Sequence, residues 1–467
     1  MIRRGVRSSF ALALIFAAAC RGDDVIVAPC VAPDVISSSV AANPQNVLSA
    51  FVSTRVRGAD SVAVQFDVGA HTPPVSVNAT EDSIVMPVLG LRPETEYSLN
   101  VLAYADCETT ASGVMKFTTG PLPSDIPSYV ASGRDPSPGF VVFAAGSYGL
   151  VIDNTGRVVW YYRFPLSAGL NFQAQPNGRY LSHPALPPGT PSNAVLVEID
   201  PTGVVTRTLG CLKGYQARLH DFIAESSGSY WVMCDEVRTL DLSSTGGPTN
   251  ARVMGTAVQH VSSDGSLMFE WSPFDHFTID YEAIDPADRT GATINWTHGN
   301  AFDFDSTGNL LISFRNLSEI TKIDTHTGNV LWRLGGRANQ FALEGNGVLP
   351  FSHQHGLRVV GSGRMSFLDN LGDPAGSRAL RYEIDEARHT AKLAASYGSG
   401  MGVVAQIGGT TQNLPGDRTL VSFGNGGRVE EYDSTGASVW RIEGNPGYVF
   451  RAQRILSLYQ PGVGTAR

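Results

Sequence analysis

The chain has 467 residues and a formal net charge of -9 at pH 7. Its length predicts more than one domain, and its acidic balance argues against a nucleic-acid-binding surface. Its 50 glycines, its many β-branched residues and the lack of long helical periodicity predict an all-β protein.

The first twenty residues, 1–20, have the pattern of an export signal. Arginines precede an apolar run, and small residues lead up to Cys20. This ending resembles a bacterial lipoprotein signal, in which Cys20 becomes the lipidated first residue of the mature protein; an ordinary secretory signal is the alternative. Both interpretations predict export to the periplasm or the cell surface, with residues 21–34 as a tether. No other stretch of the sequence is long and apolar enough to span a membrane.

Four further cysteines follow Cys20 along the chain. An even number of cysteines in an exported protein indicates disulfide bonds. We expect Cys30 to pair with Cys107 and Cys211 with Cys234, because each pair falls within one predicted domain. Free buried thiols are the alternative.

Residues 35–119 contain short strands at regular spacing, which predicts a β-sandwich. The run LRPETEYSLNVLAYA, which begins at Leu91, resembles the tyrosine corner of fibronectin type III domains. The resemblance implies that Tyr97 sends its hydroxyl back to the chain a few residues upstream, and that the domain is a spacer or an interaction module. A linker rich in proline, glycine and serine follows at 120–137.

Residues 138–467 repeat a pattern of strand, Asp/Asn-x-x-Gly turn and strand, as in TKIDTHTGNVLWRL. An inner hairpin precedes most of these units. Repeats of roughly 40–50 residues are typical of propeller blades, and we count six. The terminal YVFRAQRILSLY is expected to complete the blade that the first propeller strand begins, which closes the ring. The segment 272–295 is expected to be an inserted loop.

Three of the inner hairpins begin with a histidine: His220, His298 and His355. Each lies at the same phase relative to its hairpin turn, which predicts that the three imidazoles meet at one mouth of the central channel. Asn300 follows His298 in the same strand, and Arg315 ends the next strand opposite His298. If residues equally far from the centre of a hairpin turn pair with each other, Asp235 lies opposite His220 and Asp369 lies opposite His355.

A neutral histidine beside arginine and asparagine suits a tetrahedral anion that undergoes group transfer, since histidine can attack and form a covalent intermediate. A guanidinium beside a divalent cation is unfavourable, so we expect no metal and no cofactor. We expect His353 to face away from the cluster. A structural role for the histidines is the alternative.

The run HGNAFDFDSTGNLLISFRNLSEITKIDTHTGNVLWRLGG, followed by FSHQHGLRV, FLDN and SRALRYEID, resembles the bacterial arylsulfotransferase family over most of 215–460. The resemblance implies a six-bladed periplasmic propeller. It also implies transfer of a sulfuryl group from an aryl sulfate to a phenol, without a nucleotide donor.

Further expectations about individual residues follow from this resemblance. His355 is expected to be the nucleophile that forms a sulfohistidine in a ping-pong reaction. His298, Asn300 and Arg315 are expected to hold the sulfuryl oxygens. His220 is expected to complete the pocket and assist proton transfer. The partners are then a small-molecule aryl sulfate, a phenol, and a membrane reached through the lipid on Cys20.

Two other functions remain open at this stage. A non-catalytic surface propeller could bind carbohydrate or protein through the same channel. A metal-dependent hydrolase or lyase could use the same histidines.

Overall fold

The computed structural model describes residues 31–67, 70–78, 80–106, 108–185, 196–345, 351–361, 363–372, 376–398 and 401–464. Within these ranges the regular structure consists of 36 strands and four short 3-10 helices, with no α-helix. This confirms the predicted all-β fold, a sandwich followed by a six-bladed propeller. The export signal with Cys20 and the predicted Cys30–Cys107 disulfide lie outside the described residues, and the domain boundaries stay predictions.

Nine strands form the N-terminal sandwich. They are β1 (Asp34–Ala42), β2 (Ser49–Arg57), β3 (Ser61–Asp67), β4 (Ala70–His71), β5 (Val75–Ser76), β6 (Asp82–Leu89), β7 (Glu96–Tyr104), β8 (Thr109–Ala111) and β9 (Met115–Thr118). One sheet contains β1, β2 and β6, and the remaining strands form the second sheet. The Tyr97 hydroxyl accepts a hydrogen bond from the Arg92 amide at 2.7 Å, as expected of a tyrosine corner.

The remaining strands belong to the propeller. The first are β10 (Ala131–Gly133), β11 (Phe140–Ala145), β12 (Tyr148–Ile152), β13 (Val158–Arg163), β14 (Phe172–Ala174), β15 (Tyr180–Ser182), β16 (Leu196–Ile199), β17 (Val205–Leu209), β18 (Gln216–Ala224), β19 (Tyr230–Leu240), β20 (Ala251–Val261), β21 (Leu267–Trp271) and β22 (Ile294–Asn295). The others are β23 (Gly299–Phe304), β24 (Leu310–Phe314), β25 (Glu319–Ile323), β26 (Val330–Gly335), β27 (Ala342–Glu344), β28 (His355–Val359), β29 (Arg364–Asp369), β30 (Arg378–Asp385), β31 (Thr390–Tyr397), β32 (Thr410–Leu414), β33 (Arg418–Ser422), β34 (Val429–Tyr432), β35 (Ser438–Ile442) and β36 (Gln453–Ile455).

Six antiparallel sheets form the blades: β11–β13 with β36, β14–β17, β18–β21, β23–β26, β28–β31, and β32–β35 with β10. The C-terminal β36 pairs with β11, so the first blade is completed by the end of the chain, as the sequence predicted. In each blade the strand nearest the channel lies at one edge of its sheet: β36, β14, β18, β23, β28 or β32. These inner strands bring side chains from different blades to one channel.

The segment after β21 forms an insertion that packs on the third and fourth blades. It contains three of the 3-10 helices, Pro273–Asp275, Tyr281–Ala283 and Pro286–Arg289; the fourth, Ser243–Thr245, lies between β19 and β20. Ile284, Ile294 and Trp296 anchor it in a small core with Val253. The strand β22 ends the insertion by pairing with β20, which places Asn295 beside His298.

One disulfide joins Cys211, which follows β17, to Cys234 in β19. This is the pair that the cysteine positions predicted. In the described part of the chain, no helix has the length and apolar character needed to cross a membrane.

Candidate active site

Three imidazoles from three neighbouring blades meet at one mouth of the channel. The Nε2 atoms of His220 and His298 lie 3.2 Å apart. The ring of His220 is 5.1 Å from that of His298 and 5.4 Å from that of His355, measured between ring centres. Phe450 covers the group, with ring centres 4.9 Å from His355 and 5.6 Å from His220. The structure therefore brings together the histidines that the hairpin phase selected.

Irregular pairing of the inner strands sets the position of two of these histidines. The ladder between β18 and β19 is interrupted between Ala217 and Phe222, so Asp235 pairs with Gln216 and does not lie opposite His220. His355 pairs with Leu368, not Asp369. The predicted pairs were residues equally far from the centre of a hairpin turn, which holds only for an unbroken ladder. A bulge adds a residue to one strand and therefore changes the pairing.

The fourth blade follows the sequence prediction more closely. The Arg315 amide donates to the carbonyl oxygen of His298 at 3.0 Å, so the two residues face each other across the hairpin. His298 has a φ of 46°, a left-handed conformation that turns the chain just before β23 begins.

His355 is buried, with 2% of its surface exposed, and its tautomer follows from its hydrogen bond. Nδ1 lies 2.7 Å from the Gly409 carbonyl oxygen, which can only accept, so Nδ1 carries the hydrogen. Nε2 then has the lone pair, and no described residue donates to it. Burial, followed by the charge of Arg451, lowers the pKa of His355 to about 3. The side chain is therefore a neutral imidazole with an available electron pair.

His220 and His298 form a second, linked pair. Asn295 donates from Nδ2 to His298 Nδ1 at 2.8 Å, which leaves the hydrogen of His298 on Nε2. That hydrogen points to His220 Nε2, so His220 carries its own hydrogen on Nδ1, which has no acceptor among the described residues. Burial is the main cause that lowers the pKa of both rings well below 6.5. The pair thus offers a neutral N–H donor at His220.

Asn300 is fully buried in β23, and its amide supports the residue that precedes His355. Nδ2 donates to the Gln354 carbonyl oxygen at 2.7 Å. The Gln354 side chain in turn donates to the Glu319 carbonyl at 3.0 Å. Oδ1 of Asn300 has no donor within the described ranges. At least one amide hydrogen of Asn300 is therefore used to hold the backbone next to His355.

Arg315 is half-buried at the rim, where its Nη1 donates to Asn316 Oδ1 at 2.9 Å. Its positive charge contributes to lowering the pKa of His298, His353 and His355, so it acts on two of the three clustered histidines and on the neighbouring His353. His353 contributes to lowering the pKa of His298, and its Nδ1 lies 2.7 Å from Ser352 Oγ. The His353 ring therefore pairs with Ser352 and affects His298 only through its charge.

Sequence reasoning missed Asn295, Phe450 and Arg451. Asn295 lies only three residues before His298, and that proximity was the one signal in the sequence. Phe450 and Arg451 come from the C-terminal end of the ring, and no motif marks them. Among the described residues, no group of three or more His, Cys, Asp or Glu side chains is arranged to hold a metal ion.

A cavity of about 470 Å³ lies between the insertion and the fourth blade, with Trp296, Leu317 and Arg337 in its wall. Asn316 also lines it and links it to the cluster, since its Nδ2 donates to the Asn295 carbonyl oxygen at 2.7 Å. A second cavity of about 480 Å³ lies at the far end of β32, near Arg418 and Arg454. None of the three histidines lines either cavity, and the first cavity is connected to them only through the hydrogen bond of Asn316 to Asn295.

Comparison with known proteins adds a family assignment. The model of the family described as arylsulfotransferase (ASST) matches residues 198–445, more than half of the chain. No curated protein matches the chain.

Among solved structures, a protein of unknown function from Bacteroides caccae is 13% identical and has a TM-score of 0.43, covering 68% of this chain and 98% of its own. A streptogramin B lyase is 12% identical with a TM-score of 0.38, covering 68% and 84%. The calcium-binding protein regucalcin from Agrobacterium tumefaciens is 15% identical with a TM-score of 0.33, covering 70% and 95%. These similarities are too weak to bear on function. The family match, which includes His220, His298, Arg315 and His355, supports a sulfotransferase function in general. The chain belongs to the arylsulfotransferase family.

Proposed function

We propose that this protein transfers a sulfuryl group from an aryl sulfate to a phenolic acceptor through a sulfohistidine at His355, in a ping-pong reaction. The observation that carries the proposal is the tautomer and protonation of His355. Its Nδ1 is held by the Gly409 carbonyl oxygen, and its Nε2 keeps a lone pair inside a cluster of neutral imidazoles beside a guanidinium. An imidazole that is neutral and oriented is ready to attack an electrophilic sulfur.

In the first half-reaction, the lone pair of His355 Nε2 forms an N–S bond, and the bond between sulfur and the aryl oxygen breaks. The aryl oxygen leaves with the bonding pair as a phenoxide. In the second half-reaction, the oxygen of the acceptor phenol forms a new bond to sulfur, and the N–S pair returns to Nε2. The proton that the acceptor loses balances the one that the first phenoxide takes up.

The other residues stabilise the charges that develop in these steps. The Nδ1–H of His220 can donate to the leaving oxygen as it gains negative charge, and Arg315 can attract the sulfuryl oxygens. His298 uses one nitrogen on Asn295 and the other on His220. Its role is therefore to set the tautomer of His220, rather than to hold sulfuryl oxygens directly. The cavity beside Asn316 has a mixed wall with charged side chains, in which Trp296 and Leu317 are the apolar groups that an aryl ring would contact.

Mass spectrometry of the enzyme after reaction with a chromogenic aryl sulfate, without acceptor, tests the proposal. We expect one SO3 unit on His355, its loss on addition of phenol, and its absence in His355→Ala. His326→Ala, which changes an exposed imidazole, is the control and should react like the wild type. Full turnover by His355→Ala, or an adduct on another residue, would contradict the mechanism.

We also propose that the protein is exported and anchored by a lipid on Cys20. The sequence of residues 1–20 supports this, and the Cys211–Cys234 disulfide is in keeping with an oxidising compartment. Labelling of growing cells with a radioactive fatty acid should mark the wild type and leave Cys20→Ser unlabelled. Equal labelling of both proteins would exclude Cys20 as the anchor.

A further inference from the structure

A buried charged cluster lies next to the three histidines and has no place in the reaction as described above. It contains Asp221 from β18, Arg358 from β28 and Arg451 from the segment before β36. Arg358 Nη1 lies 2.9 Å from Asp221 Oδ2, and Arg451 Nη1 lies 3.5 Å from Asp221 Oδ1. At most 3% of each of these side chains is exposed. The cluster joins three separate blades at the channel.

Burial of such a charged cluster costs free energy. Transfer of an ion from water to a protein interior costs several kcal/mol, and well-packed apolar residues often stabilise such a position at least as well. Removal of one partner from a buried ion pair, by contrast, is strongly destabilising. A buried carboxylate shared by two guanidinium groups beside a reactive site is therefore a candidate for a functional role.

Hydrogen bonds connect this cluster to the backbone that holds His355. Arg451 Nη2 donates to the Asn300 carbonyl oxygen at 2.7 Å. Asn300 Nδ2 donates to the carbonyl oxygen of Gln354, the residue before His355, at 2.7 Å. Asp221 holds the same strand, since its Oδ2 accepts from the Phe302 amide at 3.1 Å. A movement of Arg451 would therefore reach His355 through two short hydrogen bonds.

The phenyl ring of Phe450, which covers the site, lies close to the same arginine. The guanidinium of Arg451 lies 5.6 Å from the ring centre of Phe450, the residue next to it. Phe450 contacts both His355 and His220 with its ring. Arg451 thus contacts Asn300, which holds the backbone before His355, and also Phe450, which packs on the His355 ring.

The charges that face His355 come from several elements. Arg451 approaches from the C-terminal segment, Asp221 from β18 and Arg315 from the end of β24. Neutral His220 and His298 complete its surroundings. After burial, the charge of Arg451 has the largest effect on the pKa of His355, which it lowers, and Asp221 opposes it to a smaller extent.

On the basis of the sulfuryl transfer proposed above, we propose that Arg451, anchored by Asp221, is a positioning residue for His355. Its guanidinium fixes Asn300 and the backbone before His355, and its charge adds to the effect of burial in disfavouring protonation of the attacking imidazole. The planar guanidinium serves both purposes, because its Nη2 donates to the Asn300 carbonyl oxygen while its Nη1 faces Asp221 in an ion pair.

Three variants test this role. Arg451→Met removes the charge and the hydrogen bond to the Asn300 carbonyl, whereas Arg451→Lys keeps the charge and loses the fork of the guanidinium. Arg454→Met is the matched control. Arg454 is also buried, lies three residues further on and pairs with Glu431 at 2.8 Å, but it lines the cavity at the far end of β32.

Two readouts are measured on each full-length variant: the rate of sulfohistidine formation by rapid quench, and the pKa of His355 by NMR of histidine-labelled protein. We expect Arg451→Met to slow formation roughly 100-fold, since small misplacement of a reacting group has such effects. We expect it to raise the pKa of His355 by about one unit or more. Arg451→Lys should slow formation with little change in the pKa, and Arg454→Met should change neither.

The outcomes separate the two proposals. If the wild type forms no sulfohistidine, the proposed function is wrong, while the NMR titration still tests the effect of Arg451 on His355. If Arg451→Met folds and shows the wild-type rate and pKa, the positioning role is overturned. It is also overturned if Arg454→Met changes both readouts as strongly as Arg451→Met. If Arg451→Met does not fold, an unchanged rate in Arg451→Lys overturns it.

Discussion

Because His355 is buried and neutral, we expect the free energy of unfolding of the propeller to fall at pH values well above the pH at which folded His355 itself becomes protonated. In the unfolded chain a histidine has a pKa of about 6.5, whereas the folded site lowers the pKa of His355 to about 3. Between these values the unfolded chain binds a proton that the folded protein does not. The stabilising contribution is therefore complete above pH 6.5 and declines as the pH falls towards 3.

The size of this effect follows from the pKa difference. Each pH unit within the window removes about 1.4 kcal/mol of stability for one such group. A change from pH 7 to pH 5 should therefore remove about 2 kcal/mol through His355 alone. His355→Asn removes the titrating ring and keeps an amide donor for the Gly409 carbonyl oxygen. The variant should lose about 2 kcal/mol less than the wild type over this interval.

Denaturant unfolding at pH 7 and pH 5, followed by tryptophan fluorescence, measures this difference. All six tryptophans lie between Trp160 and Trp440, so the signal reports on the propeller and not on the sandwich. His326→Asn is the control, because 85% of the His326 side chain is exposed and its loss should leave the pH dependence unchanged. If His355→Asn shows the same dependence as the wild type, the proposed protonation state of His355 is wrong.

Three further predictions concern activity and stability. Arg315→Ala should lower turnover of an aryl sulfate with phenol by roughly 100- to 1,000-fold, because in the proposed reaction its charge attracts the sulfuryl oxygens; steady-state assays measure this. The rate of wild-type transfer should stay level from neutral pH down to about pH 4, since the pKa of His355 is about 3. Replacement of Cys211 and Cys234 by serine should lower the free energy of unfolding by about 3 kcal/mol, given the 23-residue separation.

Each of these predictions has a result that would contradict it. Arg337→Ala, which changes an exposed arginine in the wall of the cavity beside Asn316, should keep most activity, so an equal loss would deny a special role to Arg315. A fall in rate centred near pH 6.5 would show an imidazole that titrates as in water. Equal unfolding midpoints for wild type and the double serine variant would show that the disulfide adds nothing to stability.

Much of the architecture is local and could be predicted from the sequence. Alternation of apolar and polar residues marks many of the strands, because side chains in a strand alternate in direction. Turns such as those after Asp305 and Asp324 join strands into hairpins, because the aspartate accepts backbone hydrogen bonds there. The regular recurrence of these hairpins determined the blades, and the phase of His220, His298 and His355 determined their common end of the channel.

The chemistry of the site depended on contacts between residues far apart in the chain. Bulges in the inner strands moved His220 and His355 away from their expected cross-strand partners. Asn295 and Gly409 decide which nitrogen of a histidine carries its hydrogen, and Arg451 adds a charge to the site. Strands and turns follow from short-range backbone preferences, which can be inferred from neighbouring residues in the sequence. Tautomers and pKa values follow from burial and from neighbours that only the closed ring brings together, so the tertiary structure alone decided them.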